Sequence, residues 1–316
     1  ITLDAGDIVA RAPADGLRGS RIFLGGPFGS TVLGTANVMS AATLARGTTV
    51  IESAACEPEI VDLAELLNAM GARISGAGSP RITIEGVDRL GGAEHRVIPD
   101  RIEAATLMCA AAITNGDVTL ENCPLDALLA ATELFGRIGV TVTAEREEDP
   151  MRAIVRVTCS RLLRAVELST QPHPGFPTDL QAQFMALLCL ADGNSVITER
   201  IYPERYLHVA ELSRMGARIH RHGPTAIVIG VRQLFGAPVM ASDLRASASL
   251  VLAGLAAEGT TTVNRVYHLD RGYERLDERL RALGASIERA AADDTPPPEP
   301  RIEPKPLGRR SPASGG

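Results

Sequence analysis

The sequence has no tryptophan, and aromatic residues make up only 3% of its 316 residues. The core must therefore be built from Ala, Leu, Val, Ile and Met, which suits close-packed helices and short strands. Because 45% of the residues are hydrophobic and 22% are charged, the composition excludes a disordered chain, a collagen and a small disulfide scaffold. The length is enough for about two ordinary domains.

The chain also lacks an excess of positive charge, a long apolar run and a cysteine framework. A formal net charge of -6 offers no general attraction for nucleic acid or anionic lipid. No apolar run approaches the roughly 20 residues of a transmembrane helix, and no basic-then-apolar leader opens the chain. We expect a soluble, cytoplasmic protein without nucleic-acid or membrane partners. The five cysteines form no C-x-x-C pair and indicate no metal site: Cys56, Cys109, Cys123, Cys159 and Cys189.

Both ends of the chain are unusual. The sequence begins with Ile1 in a strand-like run, which indicates a fragment whose upstream part is missing. Residues 291–316 hold seven of the twenty prolines and little that a core could use. This composition predicts a disordered, Pro-rich tail.

Two glycine landmarks recur four times along the chain. An Ala-rich helical run closes on a glycine before a β-rich run, at Gly47, Gly116, Gly193 and Gly259. A second helical run also closes on a glycine, at Gly71, Gly139, Gly216 and Gly284. The first-to-second gaps are 24, 23, 23 and 25 residues, and successive first glycines are 69, 77 and 66 residues apart. Since glycine supplies the left-handed turn at a helix end, the pattern predicts four copies of one helix-and-strand unit clustered around shared cores.

A domain boundary is predicted near Pro99, which separates a strand-like run from a helix-like run. The first domain then covers residues 1–98 and the second covers residues 99–290.

The first helix of each copy is predicted to begin at a residue type that caps helices well. Counting back from the glycines, these residues are Ser30, Asp100, Asp179 and Asp243. A capping role is the simplest interpretation, and such a cap is worth about 1 kcal/mol. Two features weaken it: Thr178 is an alternative cap beside Asp179, and Arg101 and Arg245 place cations where they oppose the helix dipole. An anionic ligand would explain these cations.

Polar clusters open the second helices, at residues 57–62, 204–208 and 268–275. Solvated helix ends explain such clusters, but equivalent ends of repeated units could also converge on one cleft as an anion site. The glycine-rich segment 25–30 is either a plain turn or a phosphate contact, because it lacks the P-loop lysine and the G-x-G-x-x-G spacing. The histidines offer no metal set, and surface positions are expected for His173, His220 and His222.

Residues 172–184, 242–261 and 267–285 closely resemble the enolpyruvyl transferases, in particular the members that act on UDP-N-acetylglucosamine. Residues 56–72, 79–87 and 99–113 resemble them too, so the likeness runs from about residue 1 to residue 289. The sister enzymes that act on shikimate 3-phosphate share the fold but not the motifs at residues 172–184, 242–261 and 267–285. The resemblance implies an α/β fold in which repeated βαβαββ-type units form two inside-out α/β barrel domains. The first domain would be incomplete, with about one and a half units, and the second would have three.

The resemblance implies that an enolpyruvyl group moves from phosphoenolpyruvate to the 3-hydroxyl of UDP-N-acetylglucosamine with release of phosphate. This is the first committed step of peptidoglycan synthesis, on which cell-wall biogenesis, cell shape and cell division depend. These two small molecules are the expected partners, and no metal or organic cofactor is expected. The alternatives are a non-catalytic UDP-sugar-binding relative and a 3-phosphoshikimate 1-carboxyvinyltransferase.

The same resemblance assigns roles to individual residues. Asp179 would be the general base, Arg205, Arg245 and Arg271 would hold phosphoenolpyruvate, and Asp243 would position the reacting carbon. The implied substrate-binding residues are Gly26, Pro27, Phe28, Gly29, Ser30, Asp179 and Ile201. Further matches to cleft residues, without an assigned role, are Glu57, Glu59, Asp100 and Arg101.

Two features of the family are not matched in this sequence. The loop at residues 25–30 lacks the basic residue that other members carry there. Family members also have a Lys-Asn pair and a mobile loop with a catalytic cysteine, both upstream of the position where this sequence starts. None of the five cysteines is assigned that role, so the chain is expected to be inactive alone.

Overall fold

The computed structural model describes residues 1–159 and 162–290. Residues 1–275 form one unit, and a second begins at Leu276. The helices of the first unit are α1 (Val32–Ala42), α2 (Pro58–Ala69), α3 (Arg101–Ile113), α4 (Leu129–Ile138), α5 (Gln181–Leu188), α6 (Leu207–Arg214) and α7 (Leu244–Ala256). The second unit contains α8 (Leu276–Ala282), in which Arg281 pairs with Asp277 at 3.8 Å. The predicted tail, residues 291–316, lies outside the described residues.

The strands of the described residues are short and belong to the first unit. In chain order they are β1 (Thr2–Asp4), β2 (Asp7–Val9), β3 (Arg21–Phe23), β4 (Gly25–Gly26), β5 (Gly29–Ser30), β6 (Thr48–Glu52), β7 (Arg73–Ser75), β8 (Arg81–Glu85), β9 (Asp117–Cys123), β10 (Val140–Arg146), β11 (Ala153–Cys159), β12 (Glu167–Ser169), β13 (Asn194–Thr198), β14 (Arg218–His222), β15 (Thr225–Ile229), β16 (Leu234–Phe235), β17 (Pro238–Met240), β18 (Ala257–Glu258) and β19 (Thr262–Asn264).

Two four-stranded sheets have the same topology. One has the order β3-β6-β8-β7 and the other the order β12-β13-β15-β14. In each, the first pair is parallel and the remaining pairs are antiparallel. One helix (α1 or α5) joins the parallel strands, and a second (α2 or α6) precedes the antiparallel pair. The βαβαββ-type unit predicted from the sequence is therefore confirmed in these two copies.

The other two copies are variations of this unit. The copy with α3 and α4 has a three-stranded antiparallel sheet of order β10-β11-β9. In the last copy, α7 lies between strands that form the parallel pairs β16–β18 and β17–β19. The four predicted copies are thus located at α1, α3, α5 and α7.

The predicted glycine turns are present with one exception. Gly139 ends α4 at φ 103°, and its N–H bonds to the carbonyls of Phe135 and Gly136. Positive φ also occurs at Gly47, Gly71, Gly193, Gly216, Gly259 and Gly284. In the second copy, Asn115 at φ 52° takes the left-handed conformation in place of Gly116. Asparagine tolerates this region better than most residues, so the turn is kept one residue earlier.

The first helices of the last three copies pack on one another. Contacts join α3, α5 and α7 in all three pairs. All eight residues of α5 are buried, as are ten of α3 and eight of α7, so these three helices form the centre of the packing. Phe184 of α5 packs against two other rings, because its centroid lies 4.6 Å from that of Phe135 and 4.8 Å from that of Phe176.

Helix α1 differs from its three counterparts. Only Thr35, Met39 and Ala42 of its eleven residues are buried. Met39 and Ala42 pack with Ile51 and Ile82 of the first sheet. Across the described part of the chain, no helix combines the length and apolar character needed to pass through a bilayer.

Two of the four predicted helix caps are confirmed. Oδ1 of Asp100 accepts from the backbone N of Ile102 at 2.7 Å and of Glu103 at 3.1 Å. Oδ1 of Asp243 accepts from the backbone N of Arg245 at 2.8 Å and of Ala246 at 2.9 Å. Both carboxylates therefore satisfy N–H groups that an uncapped helix leaves unpaired.

The predicted caps at Ser30 and Asp179 are wrong. Helix α1 is capped by Thr31, whose Oγ1 accepts from Gly34 N at 3.2 Å, because Ser30 pairs with Gly25 in the β4–β5 hairpin. Asp179 lies within a 3-10 turn, Thr178–Leu180, that precedes α5. Neither Asp179 nor Thr178 caps α5, so the carboxylate of Asp179 is available to other partners.

Candidate active site

The carboxylate of Asp179 is held by two arginines. Oδ1 accepts from Nη2 of Arg205 at 3.0 Å and from Nε of Arg245 at 3.3 Å. Asp179 comes from the turn before α5, Arg205 from the segment before α6, and Arg245 from the first turn of α7. The ends of helices in two successive copies therefore meet, which was one of the two interpretations of their polar residues.

The two arginines keep Asp179 ionised. Burial by itself would raise the pKa of this carboxyl, but the positive charges of Arg205 and then Arg245, with their hydrogen bonds, hold its pKa below the ordinary value of 3.8. A depressed carboxyl pKa stabilises the folded state above the unfolded pKa, and this stabilisation is lost as pH falls through the lower folded value. The contribution is therefore complete at neutral pH and is lost below about pH 4.

Arg245 is fixed by three further contacts. Its backbone N–H donates to the Asp243 cap, Nη1 donates to the hydroxyl of Tyr273 at 3.3 Å, and the guanidinium lies 5.6 Å from the centroid of the Tyr273 ring. Two nearby carboxylates and an aromatic face offset the cost of a cation in the first turn of a helix.

The other two predicted catalytic residues, Asp243 and Arg271, differ in whether they contact this cluster. Asp243 is next to the site through its bond to Arg245. Arg271 is exposed, and no hydrogen bond described within residues 1–159 and 162–275 joins it to Asp179. The structure therefore brings together Asp179, Arg205, Arg245 and Asp243, whereas the role of Arg271 stays a prediction.

The predicted substrate-binding residues from Gly26 to Ser30 lie in a two-stranded hairpin, β4–β5, that begins at Gly25 and has the exposed ring of Phe28 at its tip. The segment therefore makes a turn, and its contact to a phosphate or to UDP stays a prediction. Gly29 has φ 104°, and a Cβ placed on it would lie 2.8 Å from Cγ of Pro172. The hairpin therefore touches the segment that leads to Asp179, and Gly29 allows this close approach.

We expect Gly29→Ala to destabilise the protein by about 1–3 kcal/mol, because alanine must adopt a left-handed backbone and its methyl group would meet Pro172. Gly26→Ala is a matched control, since Gly26 has no positive φ and its nearest neighbour would be 3.6 Å from the new Cβ. That variant should change stability by less than about 0.5 kcal/mol. Urea unfolding measures both, and equal losses would show that Gly29 is not special.

The polar cluster at the start of α2 makes contacts to other parts of the first unit, although Glu59 stays exposed. Glu59 pairs with Nε of the buried Arg101 at 2.8 Å, and Oε1 of Glu57 accepts from the backbone N of His173 at 3.5 Å. Asp62 accepts from Nε2 of His95 at 2.9 Å. These contacts link α2 to the first residue of α3, to the segment before α3 and to the loop before Asp179.

The histidines differ in exposure. His220 and His222 are exposed on β14, as predicted. His173 is less exposed than predicted, because its side chain is half-buried, and this burial, with the charge of Arg101, lowers its pKa. The sequence of the Pro-rich loop that contains His173 did not indicate that the loop packs against α2.

The cysteines are poorly suited to nucleophilic chemistry in this structure. Burial raises the pKa of Cys123 to about 11 and that of Cys189 to about 12, and it also raises that of Cys109. The half-buried Cys56 and Cys159 have raised pKa values too. The thiolate is the reactive form, so these environments work against it. Within residues 1–159 and 162–290, no three His, Cys, Asp or Glu side chains form a metal-binding group.

Sequence reasoning missed two buried residues behind the arginines. Tyr273 lies in the motif that contains Arg271, and its hydroxyl contacts Thr106, Gln183 and Arg245. Glu199 follows β13 and contacts the loop around Asp179. A charged residue directly after a buried strand was the available signal.

Comparison with known proteins places the chain in a family. The family described as EPSP synthase (3-phosphoshikimate 1-carboxyvinyltransferase) matches residues 1–280. A UDP-N-acetylglucosamine 1-carboxyvinyltransferase of Nitrobacter winogradskyi is 55% identical over 293 residues, which are 92% of this chain and 66% of the relative. The enzyme of the same name from Cereibacter sphaeroides strain ATCC 17029 is 56% identical over 289 residues, covering 92% and 67%.

Solved structures agree on the fold. The enolpyruvyl transferase NikO from Streptomyces tendae matches with a TM-score of 0.75 at 28% identity, over 87% of this chain and 66% of that one. EPSP synthase from Acinetobacter baumannii matches with a TM-score of 0.66 at 21% identity, over 87% and 64%, which shows a shared fold. The chain spans about two thirds of the length of these relatives. With a family match over residues 1–280 and a fold shared with two solved transferases, the chain belongs to the enolpyruvyl transferase family.

Proposed function

We propose that this chain is part of an enzyme that transfers the enolpyruvyl group of phosphoenolpyruvate to the 3-hydroxyl of UDP-N-acetylglucosamine and releases phosphate. The observation that carries the proposal is the Asp179 carboxylate held between Arg205 and Arg245. The 55% identity to relatives named for this activity supports the choice of acceptor. The proposed setting is the cytoplasm and the pathway is peptidoglycan synthesis, with no metal or organic cofactor.

The arginines suit an anionic substrate. Phosphoenolpyruvate carries a carboxylate and a phosphate, and a guanidinium fork binds either group in a bidentate manner. Arg205 and Arg245, joined by Arg271, would hold these groups and stabilise charge as the tetrahedral intermediate forms. Asp243, which orients Arg245 through its backbone N–H, would help to position the reacting carbon.

Asp179 is the proposed general base. An alcohol is a weak nucleophile until a base within hydrogen-bond reach accepts its proton. While both arginines hold Asp179, its depressed pKa makes it a weak base. When the anionic groups of phosphoenolpyruvate take over the arginines, the pKa of Asp179 should rise. The base would then become effective only with the donor substrate bound.

The acceptor substrate would be held by the hairpin of residues 25–30 and by Ile201. The hairpin of residues 25–30 lies against Pro172, close in sequence to Asp179, and would contact the UDP moiety. Ile201 already uses its backbone N–H to bond Glu199 at 2.9 Å. Its proposed contact to the nucleotide or sugar would therefore be made by its carbonyl group.

We also propose a division of these residues between two domains. Residues 1–98 would belong to one inside-out barrel and residues 99–290 to a second, in which α3, α5 and α7 form the central helices. Mutual packing of these helices supports this division. The first barrel would be incomplete within these residues, in line with the few buried residues of α1.

The catalytic cysteine loop and the Lys-Asn pair are proposed to lie outside these 316 residues. Support comes from the raised thiol pKa values and from the relatives' greater length. Residues 1–316 alone should therefore not turn over substrate.

Phosphate release tests the proposal. The protein expressed from its complete reading frame should release phosphate from phosphoenolpyruvate when UDP-N-acetylglucosamine is the acceptor. Release only with shikimate 3-phosphate would overturn the choice of acceptor. Binding of UDP-N-acetylglucosamine without release in either assay would favour the non-catalytic relative.

A further inference from the structure

Glu199 is a fully buried carboxylate at the end of β13. Its Oε1 accepts from the Thr170 hydroxyl at 2.6 Å and from the backbone N of Ile201 and Tyr202 at 2.9 and 3.0 Å. Its Oε2 accepts from the Thr178 hydroxyl at 2.9 Å. A buried carboxylate is tolerated only when its oxygens are satisfied in this way.

Each of the two threonine hydroxyls has a second partner besides Glu199. The Thr170 oxygen accepts from the backbone N of Arg200 at 2.8 Å, and the Thr178 oxygen accepts from Nη1 of Arg205 at 3.1 Å. Backbone N–H groups and guanidinium groups can only donate. A carboxylate oxygen has no hydrogen to donate, so each hydroxyl directs its own hydrogen to Glu199 and accepts its second bond on the oxygen.

The bonds form a continuous path to the site. Glu199 orients the Thr178 hydroxyl, the Thr178 oxygen receives Nη1 of Arg205, and Nη2 of Arg205 binds Asp179. Both terminal nitrogens of Arg205 are thereby fixed. Without an oriented oxygen at Thr178, this guanidinium could rotate away from Asp179.

We propose that Glu199 is a positioning residue that fixes Arg205 against Asp179 through the Thr178 hydroxyl. Glu199 itself does not touch the substrate. Its role in turnover rests on the proposed function, whereas its effect on Asp179 does not.

The test compares Thr178→Val with Thr178→Ser in the protein expressed from its complete reading frame. Valine removes the hydroxyl at nearly constant volume, and serine keeps it. Since hydrogen bonds to charged groups contribute about 1.5–3 kcal/mol, we expect kcat of Thr178→Val to fall roughly 10- to 100-fold, with a higher KM for phosphoenolpyruvate. Thr178→Ser should stay within about twofold of wild type. Thr225→Val is the matched control. Among the described hydrogen bonds, the Thr225 hydroxyl has one partner, the Thr198 hydroxyl at 3.3 Å.

A second readout is independent of activity. In protein labelled with ¹³C at the aspartate carboxyls, Thr178→Val should raise the pKa of Asp179, because Arg205 is no longer held against it. Thr178→Ala serves the same purpose if the valine variant does not fold. An unchanged Asp179 pKa, or a loss of stability with unchanged kcat, would overturn the proposal. Wild-type protein without phosphate release but with a shifted Asp179 pKa in the variants would contradict the proposed function alone.

Discussion

Asp179→Asn is expected to lower kcat of the complete protein by about 10²–10⁴-fold, the usual contribution of a general base. Asparagine is similar in shape to aspartate but cannot accept the proton of the sugar hydroxyl. The fold should be retained, because the Asp179 carboxylate does not cap α5. Its partners Arg205 and Arg245 keep other bonds to Thr178 and Tyr273.

Phosphate release and urea unfolding, measured on the same preparation, test this expectation. Asp192→Asn is the matched control, since Asp192 is an exposed aspartate in the same copy, and it should leave kcat and stability unchanged. If Asp179→Asn instead unfolds readily and is fully active when folded, Asp179 has a structural role and not a catalytic one.

Arg245→Gln is expected to lower kcat about 10²–10³-fold, the typical loss when one preorganised donor to developing charge is removed. It also removes one of the two positive charges beside Asp179, so the pKa of Asp179 should rise. The acid limb of the pH–rate profile should consequently move to higher pH.

The control for Arg245→Gln is Arg200→Gln. Arg200 is exposed, and among the described residues its side chain takes part in no recorded ion pair. Removal of this charge should leave kcat and the profile unchanged. A comparable effect of both substitutions would mean that overall charge, and not the contact to Asp179, determines the result.

Much of the fold could be predicted because glycine leaves a strong signal. Seven of the eight landmark glycines adopt the positive φ that other residues avoid, and their regular spacing along the chain is enough to define the repeat. The exception, Asn115 in place of Gly116, shows the limit of the signal, since a neighbouring residue that tolerates the left-handed region can take the turn.

The helix starts were predicted less well, because capping residues are common in several local structures. Asp100 and Asp243 do cap their helices. Asp179 does not, because a 3-10 turn intervenes before α5 and two arginines compete for its carboxylate. Periodicity places a residue near a helix end but does not show which partner its side chain meets.

The residues behind the arginines could not be predicted from the sequence. Glu199 reaches Thr170 and Thr178 across 29 and 21 residues of chain, and Tyr273 reaches Thr106 across 167. Such contacts depend on the packing of separate copies, which local pattern does not encode. The resemblance to the family assigned roles to Asp179 and the arginines, but it assigned none to Glu199 or Tyr273.

The most direct test of the proposed chemistry is a pH titration of the Asp179 carboxyl by ¹³C NMR in the complete protein, with and without phosphoenolpyruvate. Asp179→Asn assigns the signal by its disappearance. We predict a pKa below the ordinary 3.8 in the free protein, and a rise when phosphoenolpyruvate binds the arginines. A pKa at or above 3.8 that does not respond to phosphoenolpyruvate would contradict the account.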